Sequence, residues 1–446
     1  MLRFRLFALV LLAVAGTSMS AAPVRAQNPL VPGYFADPSL RRFGDTYYLY
    51  VTTDGYGPFG NDGETMVWVS KDLVDWHPEP LRGLPNETVW APAVIDGADG
   101  RYYLYTQNSV DYSGYAWVGD TPTGPFRKAA RLGGFDVEPF RDPASGKVFL
   151  TSADRRLLEL DNDPASPTYL TRVVAQDTLA GALFDYTEGP YLSHRGGLYT
   201  LTWAGGRCWQ ESYNVRTATS RSLAGPYEDA PTNPLIETDR PAGVFGPGHS
   251  SVVEVDGRHF MLYHRQDALR APTCNYRFAT LSEVRYTRAG TLEWVGYVDD
   301  WGAALGRTSR HANLALGRDA FANTEATGFR AAYAVDGRND TRWTTAPNEK
   351  GVLTVDLGRA VALDSVTVDF EYPDKWLTFA LETSADGERW RTVADHRAEA
   401  VQGHAARTTR LGGTAPARYV RLSVLNSEDR TASVWEIRAY GPPAGD

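Results

Sequence analysis

One pattern recurs five times between Ala36 and about Val298, and it constrains the fold more than any other feature of the chain. A tight Gly-bearing turn leads into an aromatic-rich strand. Phe43-Gly44-Asp45-Thr46-Tyr47-Tyr48-Leu49 is the first instance, and Asp99-Gly100-Arg101-Tyr102-Tyr103-Leu104 repeats it. Ser145-Gly146-Lys147-Val148-Phe149-Leu150, Gly196-Gly197-Leu198-Tyr199-Thr200-Leu201 and Asp256-Gly257-Arg258-His259-Phe260-Met261-Leu262 complete the set. The spacing is roughly 50 residues, the length of a four-stranded propeller blade. Five starts predict a five-bladed β-propeller.

Radial repetition places equivalent positions around one axis. Counting back roughly 12 to 14 residues from each second-strand Leu reaches the start of the innermost strand. Those starts hold Asp37, Trp90, Asp136 with Glu138, Glu188 and His249. Acids from three different blades are thus expected to converge at one mouth of the central channel. Two carboxyl groups are what glycosidic hydrolysis needs, one to protonate the leaving oxygen and one to activate water or attack carbon. Mutual repulsion and burial raise the pKa of at least one.

With 446 residues the chain exceeds one ordinary core and predicts two domains or more. Its 42 Gly, 27 Pro and 24 Tyr against 4 Met favour short strands and tight turns over helix bundles. The formal charge of -9 is spread without a basic block, which excludes nucleic acid as a partner. Arg3 and Arg5, the apolar run from Leu6 to Ala15, and Val24-Arg25-Ala26 read as a signal peptide over residues 1–26. That run is too short for a membrane span, and nothing later reaches the length of one. A secreted protein is the expectation. An oxidising compartment then favours one bridge between Cys208 and Cys274 over two buried thiols.

Phe35-Ala36-Asp37-Pro38-Ser39, Trp90-Ala91-Pro92, Phe135-Asp136-Val137-Glu138, Glu188-Gly189-Pro190 and Gly246-Pro247-Gly248-His249-Ser250 together resemble glycoside hydrolase family 43, in order and at blade spacing. The resemblance implies Asp37 as the general base, Glu188 as the general acid, and Asp136 as a third acid that tunes and orients Glu188. It implies inversion at the anomeric carbon. His249 matches a histidine at the channel centre that holds a water or a calcium ion, and Arg277 an arginine near the third acid. No cofactor is required for the chemistry.

Alternation along a strand puts Glu138 on the face of Asp136, in the same pocket. Trp90 has two readings of equal weight, stacking on a sugar ring or packing in the core. Trp90, Glu138, His249 and Arg277 form the expected substrate-binding set. Asp142 reads as a hairpin-turn residue. The Gly-rich stretch from Tyr56 to Gly63 is expected in the pocket wall, and a Cys208–Cys274 bridge would tie two loops on the rim.

The propeller is assigned residues 27–304. After Trp301 the blade pattern stops, and residues 305–312 form a polar linker. Asp336-Gly337, Thr341-Arg342-Trp343, Asp356-Leu357-Gly358, Ser384-Ala385-Asp386-Gly387 with Trp390, and Trp435-Glu436-Ile437 resemble a discoidin or coagulation-factor C-type domain over 313–441. This implies a jelly-roll-like β-sandwich akin to carbohydrate-binding modules of family 32, often with a structural calcium. Its Trp residues match packing positions, leaving Tyr372 and Trp376 as binding candidates.

The whole reading is an all-β, secreted, exo-acting hydrolase of plant or microbial polysaccharide. α-L-Arabinofuranosidase or β-D-xylosidase leads, with β-D-galactofuranosidase close behind. A retaining, invertase-like hydrolase and a non-catalytic lectin or adhesin are the alternatives.

Overall fold

The computed structural model describes residues 27–442 apart from 57–64, 86–88, 109, 289 and 413–415. The expected signal peptide lies outside them. Residues 35–297 form five antiparallel four-stranded sheets, each a simple meander. The innermost strands are Phe35–Phe43, Trp90–Asp96, Glu138–Arg141, Tyr186–Arg195 and Gly248–Val255. The second strands are Thr46–Thr53, Tyr102–Gln107, Val148–Thr151, Leu198–Gly205 and Arg258–Gln266.

The second strands are aromatic on both faces because each blade is sandwiched between two others. Side chains alternate across a strand. Tyr47, Leu49 and Val51 therefore pack toward blade five, with Phe260 and Leu281, while Tyr48 and Tyr50 pack toward blade two, with Leu104 and Trp117. Blade two in turn sends Tyr103 and Tyr105 against Leu150 and Leu158 of blade three. Blades three and four share Phe140, Leu157, Leu201 and Trp203, and blades four and five share Val215, Met261 and Tyr263. The apolar interior is thus five interblade layers around a polar axis.

The ring closes through the N-terminal segment. Asn28 Nδ2 donates to the Leu281 carbonyl at 2.6 Å and its Oδ1 accepts from the Leu281 amide at 2.9 Å. Leu30 and Val31 join the apolar layer between blades one and five.

A short helix, Trp301–Leu305, follows blade five. Arg307 donates to the Asp72 carbonyl at 3.0 Å, so the connection lies against blade one. Beyond it is a β-sandwich. One sheet is built on Gly351–Ala362, Pro416–Ser427 and Trp376–Ser384, the other on Ser433–Tyr440 and Ser365–Phe370. Between them lie Leu353, Val355, Val366, Val420, Leu422 and Ile437, all buried.

Trp343 is buried in this core, but Trp435 serves the domain junction. Its ring meets Tyr34 edge-on at 5.1 Å and Phe278 at 5.6 Å. Arg342 joins Glu371 at 3.0 Å and Asp267 at 3.3 Å, and Arg270 reaches Glu371 at 2.9 Å. Tyr372, expected as a ligand contact, is largely buried in the same junction.

Candidate active site

Near the start of each innermost strand stands a residue in the left-handed region: Asp37 (φ 50°), Ala91 (φ 43°), Asp136 (φ 55°), Gly189 (φ 58°) and His249 (φ 45°). In blades one, two, four and five the hairpin register slips at this point. A bulge of this kind re-aims a side chain, and backbone outside the favoured regions concentrates at functional sites. Asp37, Asp136 and His249 are therefore radially equivalent, whereas Trp90, Phe135 and Glu188 sit one residue earlier. The acids come from two adjacent registers rather than one.

Glycine is obligatory in the blade-four motif. A Cβ on Gly189 would lie 2.7 Å from the Cα of His249, and its backbone already has positive φ. Its amide donates to Asp136 Oδ2 at 2.7 Å. Asp136 thus fixes the chain immediately after Glu188. Glu188 itself is half-buried, and its Oε1 accepts from the Tyr213 hydroxyl at 2.5 Å. Burial, then the charge of Asp136, push the Glu188 carboxyl up to about 6.

Asp37 has the opposite surroundings. Burial would raise it, but Arg277, His249 and His264 outweigh burial and hold it well below the usual carboxylate range. Arg277 Nη1 lies 3.0 Å from Asp37 Oδ1 while Nε and Nη2 grip both oxygens of Asp54 at 2.9 and 2.8 Å. This two-pronged hold is the geometry a guanidinium makes best. Burial and then Arg277 press His264 down to about 4 against the pull of Asp37, so the imidazole stays neutral, with its Nδ1 3.1 Å from Asp37 Oδ1.

His249 lies between two carboxylates, with Nδ1 3.3 Å from Asp136 Oδ2 and 3.5 Å from Asp37 Oδ1. Burial disfavours its charge, yet Asp136 and Asp37 raise it to about 9. A charged imidazole thus occupies the centre and neutralises its neighbours.

The pocket above these groups measures about 150 Å³ and is lined by Asp37, Trp90, Phe135, Asp136, Glu188 and Arg277, among others. Trp90 lines it half-buried, and Tyr112 packs edge-on against the Trp90 ring at 6.2 Å. Cys208 and Cys274 form a disulfide that closes the rim between the loops after the second strands of blades four and five.

Three placements differ from the sequence reading. Glu138 does not line the pocket, because Arg41 of blade one takes it as an ion pair within the channel. His249 lies at the channel centre among the acids, where the resemblance places it, but it does not line the pocket as a substrate-binding residue would. Arg277 pairs with Asp37, not with the third acid. Asp142 caps its own hairpin, accepting from Ala144 and Ser145 amides at 3.1 and 3.0 Å. Of the stretch expected in the wall, residues 57–63 lie outside the described residues.

Asp54, His264, Tyr213 and Gln107 were not singled out from the sequence. Gln107 and His264 are the cross-strand neighbours of Trp90 and Gly248, but each pair lies beyond the slip in its hairpin, so register counted from the turn misses them by one residue.

A calcium ion was a candidate at His249 and in the second domain. Among the described residues no group of three or more His, Cys, Asp or Glu is arranged to hold a metal. Nδ1 of His249 is taken up by Asp136 and Asp37.

The chain is 27% identical over 318 residues to a β-xylosidase of Bacillus subtilis (strain 168), covering 64% of this chain and 57% of that protein. It is 27% identical over 305 residues to a β-D-galactofuranosidase of Aspergillus niger, covering 60% and 84%. A non-reducing end α-L-arabinofuranosidase of Bacteroides ovatus is 29% identical over 272 residues, covering 55% and 49%. The chain thus spans about half the length of two of these relatives. A solved glycoside hydrolase superposes with a TM-score of 0.77 at 24% identity, covering 93% of this chain and 99% of its own, so the fold is shared through both domains. An F5/8 type C domain profile matches residues 319–437. The profile of glycosyl hydrolases family 43 matches residues 26–292, more than half of the chain, and the protein belongs to that family.

Proposed function

We propose that the protein is a secreted, exo-acting, inverting glycoside hydrolase that releases one sugar at a time from a polysaccharide, with residues 27–304 as the catalytic unit. The observation that carries this is a pair of carboxyls in one pocket with opposite tendencies, Glu188 pushed up to about 6 and Asp37 held far down. Such separation assigns acid and base. Glu188 gives its proton to the leaving glycosidic oxygen. Asp37 takes a proton from water as that water attacks the anomeric carbon. Asp136 keeps Glu188 in place through Gly189 and raises its pKa by its own charge.

The small pocket supports exo action. About 150 Å³ is well under the roughly 300–1,000 Å³ of pockets that engulf drug-sized ligands. L-Arabinofuranose and D-xylose are the leading sugars, with D-galactofuranose next, in keeping with the names of the relatives. The Cys208–Cys274 bridge fits export to an oxidising compartment. Mature protein recovered from culture medium should begin at Gln27.

The test is hydrolysis of aryl α-L-arabinofuranoside, β-D-xyloside, β-D-galactofuranoside and β-D-fructofuranoside, with the product anomer read by NMR. Cleavage of one of the first three with inversion, abolished in Asp37→Asn, is expected. Retention would overturn the stated mechanism, and binding of polysaccharide without any cleavage would favour a lectin.

A further inference from the structure

The catalytic pocket has a larger neighbour. A cleft of about 820 Å³ opens between the propeller and the sandwich, and Asn275 lines both spaces. Two chain segments carry the continuity. Asp54 holds Arg277 at the catalytic pocket, and two residues later Tyr56 lines the cleft. Cys274 is on the pocket rim, and Tyr276 is in the cleft.

The sandwich supplies the facing wall. Its 371–376 segment is anchored to the propeller, since the Tyr56 amide donates to Asp374 Oδ2 at 2.8 Å. Trp376 starts a strand there, its amide bonded to Glu428 Oε2 at 3.0 Å and its carbonyl accepting from the Glu428 amide at 3.2 Å. The backbone is pinned while the side chain stays 47% exposed. An indole presented this way offers an apolar face to water.

The charges of the cleft do not favour an anion. Arg270 and Arg342 are paired with Glu371 at 2.9 and 3.0 Å, and Lys375 with Asp429 at 2.6 Å. What remains is an excess of carboxylate acceptors, Asp374 and Glu428 among them, beside aromatic faces. That combination suits a hydroxyl-rich, uncharged ring with one apolar side.

We propose that this cleft binds the part of the glycan chain beyond the scissile bond, so that the sandwich domain completes the substrate site with Trp376 as its platform. This rests on the hydrolase reading for the direction of the chain, but its test does not. The volume, several times that of the catalytic pocket, accommodates a chain of sugars rather than one. The natural substrate is accordingly an oligosaccharide or polysaccharide.

Calorimetric titration of the full chain in a Glu188→Gln background would use β-1,4-xylotetraose, α-1,5-arabinotetraose and the two monosaccharides. One tetrasaccharide should bind at least about tenfold tighter than its monosaccharide, an increment of about 1.4 kcal/mol. Trp376→Ala should remove that increment and Trp376→Phe should restore much of it. A tetrasaccharide that binds no tighter than its monosaccharide overturns the proposal, as does an increment that survives Trp376→Ala. If the wild-type chain cleaves no glycoside, the hydrolase reading fails while this titration still decides the cleft.

Discussion

The Tyr213 hydroxyl donates to Glu188 Oε1 at 2.5 Å, and the same ring stacks on His264 at 5.9 Å with an interplanar angle of 8°. Gly248 makes room for it, because a Cβ there would lie 1.9 Å from the ring. Tyr213 therefore links the two candidate carboxyls, since the His264 ring it stacks on has its Nδ1 3.1 Å from Asp37 Oδ1. With Oε1 engaged as an acceptor, Oε2 is left to carry the transferable proton.

Removing that hydroxyl should leave Glu188 harder to ionise, because the bond from Tyr213 favours the charged carboxylate. In Tyr213→Phe the alkaline limb of kcat/KM, set near 6 by Glu188, should move upward by about one pH unit. A pH–rate profile with an unmoved alkaline limb would separate Tyr213 from the acid.

Glu188 should cost the fold stability in return for its chemistry. Its folded pKa of about 6 lies above the model-peptide 4.5, so the penalty is absent below pH 4.5 and complete above pH 6. The difference corresponds to about 2 kcal/mol at order of magnitude. Glu188→Gln keeps an acceptor for Tyr213 and should raise the melting temperature at pH 8 by several degrees, with little gain at pH 4. Equal gains at both pH values would contradict the raised pKa.

Arg277→Lys keeps a positive charge but cannot hold Asp37 and Asp54 together. The Asp37 carboxyl should then rise, and because the base must be ionised, the acidic limb of kcat/KM should move up in pH. Loss of a charge-assisted hydrogen bond worth roughly 1.5–3 kcal/mol predicts a 10- to 100-fold fall in kcat/KM. Kinetics across pH 3–6 on the cleaved aryl glycoside would show it, and a wild-type profile would refute the clamp.

Much of the architecture was legible because a propeller repeats. Five Gly-bearing turns at blade spacing gave the blade count, and the same count led back to Asp37, Asp136, Glu188 and His249. The offset of one residue between Asp136 and Glu188 was not legible, since it depends on backbone bulges at the strand starts. Glu138 was misplaced for a related reason. Strand alternation identified its face, but the partner that draws it into the channel, Arg41, belongs to another blade. Arg277 was found without its true partner, and Asp54, with no motif around it, was missed.

In the second domain the motif order indicated a sandwich, and the burial of Trp343 follows from it. The work of Trp435 and Tyr372 at the junction does not, because it requires Tyr34 and Phe278 of the propeller.

The sequence by itself determined the all-β class, the number of blades and which residue types stand at the channel mouth, because these follow from local turn chemistry and a fixed repeat length. The tertiary structure decided which of those groups carry protons and what they face. Protonation depends on burial and on charges within a few ångströms, and closure of the ring sets Arg277 beside Asp37 across 240 positions of chain.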